Sequence, residues 1–146
     1  MPLLNYTTSI SADKTIGEIQ KLLVKAGARA ILANYRDDGT IDALSFQMPV
    51  ENGQLVGFKL PCDPEPVLLI LKRDPKVPNR LKDRDQALRV AWRIVKDWVE
   101  AQLAIIETRM VKPEQVFLPY AVTPTGETVF ERFESGKLLG GGSSMD

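Results

Sequence analysis

Histidine is absent from this 146-residue chain. Its absence excludes Ser-His-Asp and Cys-His catalysis and removes the commonest ligand for zinc and other transition metals. A single cysteine, Cys62, excludes an internal disulfide and fits a reducing cytosol. Net charge is missing too. Nineteen basic and nineteen acidic residues cancel, so no global field draws the chain toward nucleic acid or a membrane. Either partner would have to be met by a local patch. No apolar run approaches the ~20 residues of a membrane span, and the N-terminus lacks the basic-then-apolar layout of a signal peptide. The expectation is a cytoplasmic protein with no membrane partner. For chemistry there remain carboxylate, lysine, tyrosine and serine side chains, or no chemistry at all. The last is the reading taken, with no cofactor and no metal.

The length suits one domain with a real core, over residues 1–135, followed by a flexible Gly/Ser tail at 136–146, GKLLGGGSSMD. The organising stretch is Asp85 to Met110, which holds neither Gly nor Pro. Leu88, Trp92, Val95, Val99, Leu103, Ile106 and Met110 recur in steps of three or four, one face of a helix. Val90, Ile94, Trp98, Ala101 and Ile105 form a second apolar row. Only Arg89, Arg93, Lys96 and Glu100 are left as a polar stripe, so protein must cover most of this helix. The spacing predicts a long central helix over about 83–110. A homodimer along Trp98 to Met110 is one way to cover its apolar surface.

Elsewhere the pattern predicts an α+β domain, an antiparallel meander of three to four strands packed by helices. Leu3 to Ile10 is rich in β-formers and reads as a first strand. Ser11 or Asp13 can cap a helix over Lys14 to Ala26, Thr15 and Glu18 match a capping box, and Gly27 stops it. Strands are expected at Ala30 to Tyr35, Ile41 to Met48 and Leu55 to Leu60, joined by Asp37-Asp38-Gly39-Thr40 and Asn52-Gly53. Pro49 suggests an edge or bulge at the end of the middle strand. Asp63-Pro64 opens a short helix that Asp74-Pro75 ends. Glu114 to Tyr120 is too short for periodicity to decide between helix and strand. Val129, Phe130 and Phe133 suit a last short helix.

Charge is uneven in one place. Between Lys72 and Asp97 nine basic residues stand against Asp74, Asp83, Asp85 and Asp97. Guanidinium forks on a rigid helix suit phosphates, and the preceding loop can follow a backbone. The candidate binding residues are Arg80, Lys82, Arg84, Arg89, Arg93 and Lys96. Their competing reading is a solvated helix face salt-bridged to neighbouring acids. Trp92 and Trp98 have the chemistry to stack bases, but they sit in the apolar rows and read as core. Asp42 and Lys59 loosely match a metal-nuclease layout, which fails where Gly57 stands in place of the second acid. Asp37 and Asp38 are turn residues. Cys62 and Tyr120 read as a strand end and a core aromatic.

At NYTTSISADKTIGEIQKLL, RVAWRIVKDWVEAQLAIIETRMV and EQVFLPYAV the chain resembles a group of small proteins widespread in phages, prophages and other bacterial mobile elements. The resemblance covers most of residues 2–133 and supplies no site residues. It implies a phage-type accessory protein in the cytosol of a bacterial host, engaged in nucleic-acid transactions or host-defence interference rather than metabolism. The expected function is therefore non-enzymatic binding of nucleic acid or a nucleotide through the basic loop and helix stripe. The rival is a protein-binding inhibitor of a host enzyme or defence complex, or a structural oligomer.

Overall fold

The computed structural model describes residues 2–136. The tail expected at 136–146 falls outside that range beyond Gly136. In chain order the elements are α1 (Ala12–Lys25), β1 (Ala30–Tyr35), β2 (Ile41–Pro49), β3 (Leu55–Lys59), α2 (Pro64–Arg73), α3 (Arg84–Glu107), α4 (Pro113–Phe117) and α5 (Val129–Glu134). Short 3-10 turns lie at Asn79–Leu81 and Leu118–Tyr120. The class is α+β, with a three-stranded antiparallel sheet in the order β1-β2-β3. The described residues fall into two compact units, 2–23 with 61–104, and 24–60 with 105–136.

The first unit is helical. Ser11 caps α1: its Oγ accepts from Lys14 N at 3.1 Å and its carbonyl from Thr15 N. The capping box expected at Thr15 and Glu18 therefore lies one turn inside the helix. There Thr15 is fully buried and Glu18 serves an ion pair. Asp63 caps α2 by accepting from Glu65 N at 3.0 Å, with Pro64 at the first turn, where its missing N–H costs nothing. Asp83 caps α3 by accepting from Gln86 N at 2.8 Å. Ile16, Ile19 and Leu23 of α1, Leu71 of α2, and Val90, Trp92, Val95 and Val99 of α3 are buried. Leu71, Val77, Leu81 and Ala87 form one buried cluster, with Tyr6, Val67 and Leu68 packed against it.

The strand expected at Leu3 to Ile10 is not formed. Asn5 takes a positive φ of 65°, and Tyr6 N and Thr8 N bond back to Leu3 O and Asn5 O. The alternation of β-formers there is real, but no neighbouring strand is offered to it. The sheet accordingly stops at three strands. The long helix also ends earlier than periodicity suggests, at Glu107 rather than Met110. Arg109 N bonds to Ile106 O, and Arg109 adopts φ 68°, the left-handed conformation that commonly closes a helix.

The second unit holds the sheet. Asn52-Gly53 turns β2 into β3, with Gly53 at φ 87° and Asn52 Oδ1 accepting from Gln54 N at 2.9 Å. Register runs unbroken through Pro49, opposite Leu55, so the irregularity expected there is absent. A register shift occurs instead between Asn34 and Tyr35. Pro49 is tolerated because it is the last residue of β2. Leu44, Phe46, Met48 and Phe58 are buried. Phe46, Phe58 and Phe117 of α4 meet as an aromatic trio with ring centroids 5.4–5.7 Å apart. Glu114 to Tyr120, undecided from sequence, is helical, as α4 and its 3-10 extension.

A capping box holds α5. Thr128 Oγ1 accepts from Glu131 N at 3.1 Å, and the Glu131 carboxylate accepts from Thr128 N at 2.8 Å. The backbone bond from Thr128 is the main cause that holds the Glu131 carboxyl below its ordinary range. A carboxyl lowered in the folded state stabilises above its unfolded value and loses that contribution as pH falls through the folded value. Acidification should therefore fray α5 before the sheet, seen as faster amide exchange over 129–134. Thr128→Ala should cost about 1 kcal/mol, and Glu131→Gln should flatten the acid response.

Candidate functional site

Five of the six candidate cations lie on the connector between α2 and α3 or on the first three turns of α3; Lys96 lies one turn further along. Half of the set is committed within the chain. Arg93 donates to both Glu18 carboxylate oxygens at 3.2 Å and to Thr15 Oγ1 at 3.4 Å, and its side chain is only 14% exposed. Lys96 bonds to Glu100 at 3.1 Å, one turn on. Arg84 pairs with Glu65 of α2. Arg93 and Arg84 tie α3 to α1 and α2, and Lys96 is paired within α3 itself.

Arg80, Lys82 and Arg89 differ. Arg80 is exposed and Lys82 half-buried. Neither takes part in an ion pair among the described residues. Two of the nearby acids are meanwhile engaged with backbone: Asp74 accepts from Lys76 N at 2.9 Å and Asp83 from Gln86 N at 2.8 Å, while Asp85 is exposed in the first turn of α3. Carboxylates held as caps are poorly placed to neutralise cations beside them. Lys72, Arg73 and Lys76, exposed and equally without ion pairs, extend the patch toward α2, an extension the sequence reading counted but did not select.

Arg89 is oriented by a buried relay. Gln86, 1% exposed, donates from Nε2 to the carbonyls of Tyr6 (2.8 Å) and Thr8 (3.0 Å), and its Oε1 accepts from Arg89 Nε at 3.0 Å. That bond uses the guanidinium's inner edge and leaves its two terminal nitrogens for a ligand. Gln86 escapes sequence reading because a glutamine at a helix start carries no chemical signature. Its period does place it one turn before Arg89.

The other residues weighed from sequence have structural roles. Trp92 is 1% exposed, and its ring has no face for a base. Trp98 is half-buried. Asp42 pairs with Arg36 at 3.2 Å, while Lys59 stands opposite Ser45, so the two are not brought together. Asp38 accepts from Thr40 N and Oγ1 in the first hairpin turn. Cys62 is half-buried just before the α2 cap, and Tyr120 is half-buried in its 3-10 turn. Among the described residues no group of three or more Cys, Asp and Glu side chains is arranged to hold a metal ion. No described helix is long and apolar enough to cross a membrane. Along the seam expected to seat a second copy, Val99 is fully buried, Trp98, Leu103 and Ile106 are half-buried, and Ile105 and Met110 are exposed.

The second unit has an open groove of about 660 Å³ lined by Val50, Ile106, Val111, Glu51, Lys112 and Glu114 among others. Some of its charges are satisfied internally, although Glu114 Oε1 is buried without a hydrogen-bond partner among the described residues. Lys112 pairs with Glu51, whose hydrogen bond and charge raise the lysine's pKa, and Glu51 N donates to Glu114 Oε2 at 3.1 Å. No family model, curated protein or solved structure matches the chain.

Proposed function

We propose that this chain is a non-enzymatic, phage-type binding protein that engages nucleic acid through phosphate contacts from Arg80, Lys82 and Arg89. Lys72, Arg73 and Lys76 extend the contact. One observation carries the reading: Asp74 and Asp83 are taken up as turn and helix caps, while Arg80, Lys82 and Arg89 make no ion pair among the described residues. Unscreened cations on a short stretch of surface recruit polyanions by releasing counterions, with little reading of sequence. Arg84 and Arg93 hold α3 to its neighbouring helices, and Lys96 is answered by Glu100 within α3.

A salt titration against labelled single- and double-stranded DNA and RNA tests this assignment. Arg80→Ala with Lys82→Ala and Arg89→Ala should weaken binding and reduce the slope of log affinity against log salt by roughly two to three. Lys96→Ala should leave both almost unchanged. If the triple variant binds as the parent does, or no salt-sensitive binding exists, the assignment fails.

A further inference from the structure

The two edges of the sheet are treated differently. On the β3 side, Ala121 and Val122 extend the ladder through a bridge from Ala121 to Phe58 and a Val122 N to Gly57 O bond of 2.8 Å. On the β1 side, no described strand or bridge pairs the outer edge. The strand left open, AILANY, carries no charge and no proline, two of the devices that blunt an edge; its one irregularity is the register shift at Asn34/Tyr35, near its end. Leu32 and Tyr35 on it are 60% and 65% exposed. At its ends stand Arg29 and Asp37, both exposed, neither with a side-chain partner among the described residues.

We infer that β1 is a self-association edge, on which a second copy of this chain adds its own β1 antiparallel across a two-fold axis at Ala33. The charges choose both occupant and register. A two-fold at Ala33 sets Leu32 opposite the other copy's Asn34 and Ile31 opposite its Tyr35. It also brings each Arg29 to the other copy's Asp37, so two unanswered charges per chain are answered at once. The register shift beside Tyr35 displaces Asp37 by about one position, which an arginine side chain spans. A two-fold at Leu32 instead sets Arg29 opposite Tyr35 and gains no such pair. The result is a continuous six-stranded sheet joined by an isologous interface. One short strand buries little area, so the dimer is weak, with a dissociation constant on the order of micromolar to tens of micromolar.

Sedimentation equilibrium from about 5 to 500 µM reads this directly, bracketing the constant expected for so small an interface. The parent should shift from monomer toward dimer, Arg29→Asp should raise the dissociation constant at least about tenfold, and Arg29→Asp with Asp37→Arg should restore it. Register is read by oxidation in a Cys62→Ser background: Leu32→Cys mixed with Asn34→Cys should cross-link, and each alone should not. A parent that stays monomeric throughout, a charge swap that fails to rescue, or efficient cross-linking by Leu32→Cys alone would overturn the proposal. None of these readouts involves the basic patch, so the nucleic-acid assignment stands or falls separately.

Discussion

Phe46→Ala should cost about 3–5 kcal/mol, the range for removing a fully buried aromatic. Phe46 sits at the middle of β2, 1% exposed, with Phe58 beside it on β3 and Phe117 edge-on from α4. Truncation removes the ring's own burial and two aromatic contacts, and it leaves a void between a sheet and a helix of five residues. So short a helix holds no fold of its own and depends on that contact. The loss should therefore be partly local, with α4 loosening before the strands separate. Urea unfolding gives the magnitude, and amide exchange over 113–120 gives the locality. Leu32→Ala on the exposed edge is the matched control, expected within about 0.5 kcal/mol. A Phe46→Ala loss under about 1 kcal/mol would mean the trio is not the core it looks to be.

The sheet was largely legible in the sequence because its determinants are local. Asn52-Gly53 and Asp38-Gly39 fix the turns, and alternation in β2 places Leu44, Phe46 and Met48 on one face with Gln47 on the other. The helix start at Asp63 was readable for the same reason, a capping side chain two residues from the amide whose bond it accepts. What failed depended on distant partners. Leu3 to Ile10 has the composition of a strand, but the carbonyls of Tyr6 and Thr8 are taken by Gln86, about eighty residues away. Charge counting found the basic stripe and missed its division. Glu18, which claims Arg93, lies 75 residues earlier, outside any local window. Arg80 and Lys82 were identified together with residues whose charges the fold had already used.

Gln86→Leu should cost about 2–4 kcal/mol, and its effects should separate packing from hydrogen bonding. Leucine nearly matches glutamine in volume and keeps the apolar contacts, so little of the loss can be assigned to a cavity. What disappears is a donor serving two carbonyls and an acceptor serving one guanidinium. Each part-buried carbonyl left without a donor costs about 1–3 kcal/mol unless water reaches it. The N-terminal segment has few other ties, among them Asn5 Nδ2 to Asp97 at 2.9 Å and the packing of Tyr6, so residues 2–10 should detach first. Rapid amide exchange or proteolytic nicking there, with α3 still protected, is the expected pattern. Arg89 keeps its charge in this variant but loses the bond that aims it. If phosphate contact needs the aimed guanidinium, nucleic-acid affinity drops toward that of Arg89→Ala. If the contact is a diffuse field, affinity stays at the parent's level, and Gln86 is then a structural residue alone.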